Sequence, residues 1–207
     1  MAADERRASI IEATLPLLRD RGRTVSTREI SKAAGIAEGT IFRVFDSKDD
    51  LITACMHEAF DTRRVRRELQ AIDLDRPLAE RLTAAVGVMQ SHLRGVFSLM
   101  MTLQATGQPL ERPKHGERHS LDRKRSTEEL DADFEALIAP DRDLLRMPPE
   151  QVVSFLRMLV LASVHPFMDS RSSSPAELVD LVLEGALVRP PHIPVTAPAH
   201  LLSRGKI

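Results

Sequence analysis

Apolar residues recur at intervals of three and four along almost the whole chain, and no convincing alternating stretch appears. This spacing places apolar side chains on one face of a helix, whereas a half-buried strand would alternate, so the pattern predicts an all-α protein. Besides the two short helices treated next, it predicts helices at 3–20 (bent at Pro16), 47–71, 77–93, 96–105 after a break at Gly95, 127–138, 151–164 and 178–187. Residues 107–125 are predicted to form an exposed connection and the tail 189–207 to lack regular structure.

Two short helices are predicted near the amino end. Ser26 followed by Glu29 is a capping box, which fixes a helix start, and Gly35 suits the left-handed residue that ends a helix. Ile41, Val44 and Phe45 then share one face of a second helix. The other face of this helix carries Glu38, Gly39, Thr40 and Arg43. Two short helices joined by a glycine-containing turn are typical of a helix-turn-helix, whose second helix enters the DNA major groove. The sequence thus predicts a recognition helix at 38–45.

The amino-terminal segment resembles the DNA-binding domain of the tetracycline-repressor (TetR) family of bacterial transcription regulators. The residues that carry the resemblance are Ile11, Glu12, Ala13, Leu18, Gly22, Thr27 to Ile30, Ala33 to Ile36, Gly39 to Phe42, Phe45, Ser47, Lys48 and Leu51. The family implies a homodimer with a three-helix DNA-binding domain, a helical ligand-binding and dimerisation domain, and usually repression relieved by a small molecule. We therefore expect a DNA-binding domain at 1–50 with its motif at 26–45, a ligand-binding and dimerisation domain at 51–188, and a tail at 189–207.

The residues expected to contact DNA lie in and beside the predicted motif. They are Thr27, Arg28, Glu38, Gly39, Thr40, Phe42, Arg43 and Lys48. Arg43 and Lys48 are expected at phosphates, and Gly39 is expected to let the helix approach the duplex closely. Phe42 stands where the family commonly has a phosphate-contacting tyrosine, so that hydrogen bond is not expected here. Glu38 either accepts a hydrogen bond from cytosine N4 or interacts only with the helix dipole.

The carboxyl-terminal half is expected to dimerise and to hold an effector. The predicted dimer interface comprises Val152, Phe155, Leu156, Leu159, Leu178, Leu181, Val182 and Gly185, and the predicted pocket comprises Met89, Phe97, Met100, Met101, Phe134 and Met158. Flexible thioethers suit a pocket for a hydrophobic or amphipathic ligand, but both sets would equally suit the chain's own core. The helix at 47–71 is expected to transmit ligand binding to the DNA-binding domain.

Composition helps to choose among the possible functions and cellular locations of the protein. The formal net charge is −1, but residues 1–48 hold nine basic and seven acidic side chains, the sign that suits DNA at this end. A single cysteine, a charged amino terminus after Met1 and the lack of a long apolar run lead us to expect a cytoplasmic protein. His115 and His119 have metal-ligand spacing, yet a metal-dependent helical enzyme is the weaker alternative, and no cofactor is expected. A degenerate helix-turn-helix acting through protein contacts is the other alternative.

Overall fold

The computed structural model describes residues 3–106, 116–168 and 173–186, and it confirms the all-α fold class, with no β-strand in these ranges. The helices are α1 Ala3–Arg21, α2 Thr27–Ala34, α3 Glu38–Ile41, α4 Lys48–Ala59, α5 Arg63–Gln70, α6 Leu78–Ala105, α7 Gly116–Ile138, α8 Pro149–Val164 and α9 Pro175–Ala186, with short 3-10 helices at Gly22–Thr24 and Ala139–Leu144. None of the described helices combines the length and apolar composition needed to cross a bilayer.

The buried apolar residues form two clusters, and α6 contributes to both. The amino-terminal cluster includes Ile10, Leu18, Ile30, Ile41, Phe45 and Leu51, together with Leu99 and Leu103 from the last turns of α6. The carboxyl-terminal cluster includes Leu82, Ala85 and Val86 from the first turns of α6, packed on α5 and α7 to α9. Consequently, the core under the helix-turn-helix extends past residue 50 and depends on a helix that begins at Leu78.

Several predicted helix boundaries are wrong, and for two of them the structure shows a contact that replaces the expected local signal. The predicted helix at 47–71 is interrupted after Ala59, where Asp61 accepts hydrogen bonds from Arg63 N (2.8 Å) and Nε (2.6 Å) and starts α5. The predicted break at Gly95 is absent, since burial of residues on both sides keeps α6 continuous. The first part of α7 occupies 116–125, which had been expected to be a connection.

The other ends agree more closely with the pattern. α1 continues as one helix through Pro16. At α9, Ser174 N donates to the Glu177 carboxylate (2.7 Å) and Glu177 N donates to Ser174 Oγ (3.3 Å), as the sequence Ser-Pro-Ala-Glu predicts. The predicted tail at 189–207 lies outside the described residues. The predicted recognition helix is shorter than expected: only Glu38–Ile41 is α-helical, and 42–44 form a hydrogen-bonded turn.

Arg81 anchors the first turns of α6. Its guanidinium is almost fully buried and donates to the carbonyl oxygens of Leu137 (2.9 Å), Leu74 (2.7 Å) and Arg76 (2.7 Å), and it pairs with Asp141. A buried charge is tolerated when it is paired and its donors are satisfied. Arg81 thereby fixes α6 to the end of α7 and to the loop before α6.

Candidate nucleic-acid interface

The first helix of the motif, α2, is defined at both ends by local hydrogen bonds. Ser26 Oγ accepts from Glu29 N (3.3 Å), while the Glu29 carboxylate accepts from Ser26 N (2.8 Å) and from Arg21 Nη1 (2.6 Å). Above all the backbone hydrogen bond from Ser26, and then the bond from Arg21, lower the pKa of Glu29 to about 2. The capping box predicted from the sequence is confirmed.

The turn between α2 and α3 depends on Gly35. This residue has φ +66° and ψ 32°, and Ile36 N donates to Ser31 O (3.0 Å) across the end of the helix. Because a side chain at positive φ crowds its own backbone, glycine is the residue that adopts this conformation without strain. The turn sends the chain directly into α3, which begins at Glu38.

The apolar side of the recognition segment is buried and its other side is open. Ile41 and Phe45 are within 1% of full burial, whereas Glu38, Gly39 and Arg43 are exposed. Thr40 is half-buried. Arg7 holds the end of the segment on α1, since its guanidinium carbon lies 4.3 Å from the Phe45 ring centroid and Nη1 donates to Val44 O (3.4 Å).

A side-chain hydrogen bond joins the starts of the two motif helices. Thr27 Oγ1 donates to Glu38 Oε1 across the surface where both helices begin. This bond gives Glu38 a structural partner that the sequence did not reveal. It leaves the second carboxylate oxygen of Glu38 without a hydrogen bond in the described structure, so both interpretations of Glu38 stay open.

The cations of this region divide into two groups. Arg28, Lys32 and Arg43 are exposed, and none has a side-chain hydrogen-bond or ion-pair partner among the described residues. Lys48, in contrast, is half-buried and donates from Nζ to Arg23 O (2.6 Å). Lys32 was not among the predicted contacts, although its position four residues after Arg28 places both on one face of α2.

Besides the packing of Leu99 and Leu103, hydrogen bonds connect the end of α6 to the segment before the motif at a joint, which we define as Gly22, Arg23, Thr102 and Thr106. Arg23 N donates to Thr106 Oγ1 (2.8 Å), and Thr102 Oγ1 donates to Arg19 O (3.3 Å). Gly22 has φ +57°, and a β-carbon placed on it would lie 2.1 Å from Thr106 Oγ1 and 2.6 Å from Thr102 O. Arg23 also pairs with Asp49 at the start of α4. The joint therefore links α6 to the segments on both sides of the motif.

The six residues of the predicted pocket do not share one place in the fold. Phe134 is buried in the carboxyl-terminal cluster with Met89 packed against it, while Met100 packs on the amino-terminal cluster. Met101 and Met158 are exposed. Phe97 packs its ring edge-on against His165 with 5.2 Å between centroids. The effector pocket stays a prediction.

The predicted dimer residues separate into buried and exposed sets. Val152, Leu156, Leu178 and Val182 belong to the chain's own core, so their side chains are not available to a partner as predicted. Phe155 and Leu181 are 46% and 61% exposed, while Leu159 and Gly185 are half-buried. Two further residues of α8, Met158 and Leu161, extend this exposed apolar side. Sequence periodicity alone could not tell the two faces of α8 apart because both are apolar.

The described residues contain no group of three or more potential metal ligands. His115 lies outside the described residues, and His119 is in α7 at a point where only the backbone is described. The predicted histidine pair thus stays untested.

Comparisons with known proteins agree with this geometry. Residues 10–55 match the family described as bacterial regulatory proteins, tetR family. An HTH-type transcriptional regulator of Mycobacterium tuberculosis, itself uncharacterised, is 34% identical over 89 residues, which are 42% of this chain and 43% of that protein. A second such regulator from the same organism is 31% identical over 71 residues, or 34% and 30% of the two chains. The matches thus span less than half of these curated relatives.

Solved structures extend the likeness to most of the fold. A tetR-family transcriptional regulator of Streptomyces coelicolor has a TM-score of 0.55 at 23% identity, covering 89% of this chain and 80% of that one. A candidate TetR-family regulator of Mesorhizobium loti gives 0.56 at 16% identity and covers 91% and 100%. The superantigen PfiT gives 0.56 at 20% identity and covers 90% and 98%. Identities this low show a shared fold alone, whereas the match at 10–55 shows that the amino-terminal segment is similar in sequence to the tetR family of regulatory proteins.

Proposed function

We propose that this chain is a sequence-specific DNA-binding transcription regulator that binds a palindromic operator as a homodimer. The proposal rests on an exposed glycine in α3. Gly39 lies in the helical segment Glu38–Ile41, is exposed, and a β-carbon placed on it would meet no atom within 4 Å. No neighbour among the described residues requires a glycine there, although glycine in a helix interior costs about 1 kcal/mol relative to alanine.

A glycine that the fold does not require is explained if another molecule approaches the backbone at that point. The surroundings indicate the chemistry of that molecule. Arg28 and Lys32 of α2 and Arg43 after α3 are exposed cations with no ion-pair partner among the described residues, and Thr40 provides a hydroxyl beside Gly39. Cations around a bare stretch of helix suit a duplex, because phosphates attract the cations while the helix enters the major groove. Operator affinity is expected to fall steeply with salt concentration.

Dimerisation is proposed through the exposed apolar side of α8 and α9, which we define as Phe155, Met158, Leu161 and Leu181. These side chains are between 45% and 61% exposed. A second copy of the chain would bury them by a two-fold, self-complementary contact between helix pairs. Two recognition segments spaced roughly 34–36 Å apart would then read the two halves of a palindrome.

Regulation by a hydrophobic or amphipathic effector is proposed to act through α6. The interruption after Ala59 removes the continuous helix at 47–71 as a rigid connection, whereas α6 runs unbroken from the carboxyl-terminal cluster to the joint. A ligand that displaced α6 would disturb the bonds of Thr106 with Arg23. A coupling of about 1–3 kcal/mol would produce a useful response, and repression is the expected mode.

The test is selection of bound duplexes from random DNA with the purified protein, followed by affinity measurement at several salt concentrations. The expected result is an inverted-repeat site whose affinity falls with salt. A matched pair of variants identifies the surface: Arg43→Ala should weaken binding, whereas Arg64→Ala, which removes an exposed arginine of α5, should not. Failure to enrich any sequence would contradict the proposal and favour a degenerate helix-turn-helix that acts through protein contacts.

A further inference from the structure

The recognition surface, which we define as the exposed residues Glu38, Gly39, Phe42 and Arg43, contains one side chain whose chemistry differs from that of its neighbours. Phe42 follows α3 directly and is 51% exposed, although phenylalanine is usually buried. Its backbone is still in the right-handed helical region, with φ −74° and ψ −7°. Residues three apart on a helix are neighbours, so Phe42 borders the bare backbone at Gly39. The fold thus presents an apolar ring beside an exposed stretch of backbone at Gly39.

The ring is not needed by the core beneath it. Ile41 and Phe45 fill the amino-terminal cluster from this segment, and Phe42 belongs to neither that cluster nor the partly buried residues packed on it. An exposed phenyl group gains free energy when it is covered, but it has no donor or acceptor for a phosphate. Its partner on DNA must therefore be apolar.

The major groove offers one prominent apolar group, the C5-methyl of thymine, since the other base edges present hydrogen-bond donors and acceptors. We propose that Phe42 selects thymine at one position of each half-site by packing its ring on this methyl group, while the exposed backbone at Gly39 lets the base edge approach. Phe42 is then a specificity-determining residue. This inference rests on the proposed DNA-binding function.

Uracil substitution tests the contact, because deoxyuridine differs from thymidine only by the methyl group. The probe is the duplex recovered by selection from random DNA, with each symmetric pair of thymines replaced in turn. At one pair, removal of the methyl groups should weaken wild-type binding about fourfold per half-site, the loss expected for one buried methyl-sized group. 5-Bromouracil at the same pair should restore affinity, since bromine fills the methyl volume.

Two variants assign the effect to the ring. Phe42→Ala should bind the thymine and uracil duplexes equally, whereas Phe60→Ala, which removes another half-exposed ring outside the motif, should keep the full discrimination. Equal thermal melting of wild type and Phe42→Ala would verify that the variant is folded. If no thymine pair responds, or if Phe42→Ala still discriminates, the proposal is overturned while DNA binding itself stands. If wild type binds no duplex, both proposals fail.

Discussion

The joint and the recognition surface each contain a glycine, but the two glycines differ in whether the chain's own packing excludes a side chain. Gly22 has positive φ, and a β-carbon there would overlap Thr106, so the chain's own packing requires it. Gly39 is helical, and a β-carbon placed on it would meet no described atom within 4 Å. Gly35 lies between these extremes, with positive φ but free space around it. The joint is therefore packed for internal contact, while the recognition surface keeps room for an external partner.

The largest change in the free energy of unfolding is expected for Gly22→Ala. Alanine at this positive φ is strained, and its methyl group would push against the carbonyl oxygen of Thr102 and the side chain of Thr106. The free energy of unfolding should therefore fall by about 3 kcal/mol. Urea denaturation followed by circular dichroism measures the loss. Combining it with Thr106→Ala should recover part of this loss by removing the closest atom. A change below about 0.5 kcal/mol would show that the joint is not tightly packed.

Gly35→Ala should have an intermediate effect. Its β-carbon would meet nothing within 4 Å, so only the positive φ penalises the substitution, and we expect a loss of about 1 kcal/mol. The same denaturation measurement applies. A loss as large as that of Gly22→Ala would mean that crowding is not what distinguishes the two sites.

Gly39→Ala, in contrast with the two previous substitutions, should stabilise the protein. Because the site is helical and open, alanine should raise the free energy of unfolding by about 0.5–1 kcal/mol. The stability of Thr40→Ala, at the next position of the same helix, provides a matched control for changes at this surface. A destabilised Gly39→Ala would reveal an internal requirement for glycine and remove the main support for the proposed function.

The smallest effect concerns the pH dependence of the α2 cap. Glu29 has a folded-state pKa of about 2 against a usual 4.5, so its contribution to stability is present above pH 4.5 and declines as the pH falls toward 2. Glu29→Gln should flatten the stability profile in this window. A wild-type profile no steeper than that of the variant would contradict the role of the carboxylate.

The accuracy of the sequence predictions follows the range of the interactions that set each feature. The ends of α2 were predictable because Ser26, Glu29 and Gly35 act within a few residues. The continuity of α6 through Gly95 was not, since it depends on Leu99 and Leu103 packing against residues 10 to 59, which are 40 or more positions away along the chain. At the interruption at 60–62, the Asp61 carboxylate accepts a hydrogen bond from Arg63 N, a local bond that helical periodicity does not reveal.

The candidate sites show the same division. The exposed side of α3 could be predicted because helical periodicity separates it from Ile41 and Phe45. Periodicity does not show which hydrogen bonds a polar side chain makes, and so the engagement of Lys48 with Arg23 and of Thr27 with Glu38 became evident only in the fold.

The most direct test of the central claim is the affinity of Gly39→Ala for the duplex selected by the wild-type protein, measured beside its stability. Operator affinity should fall by at least tenfold, because the added methyl group separates the helix from the groove, while the protein becomes more stable. Unchanged affinity in a well-folded Gly39→Ala protein would contradict the claim that this glycine exists to admit DNA.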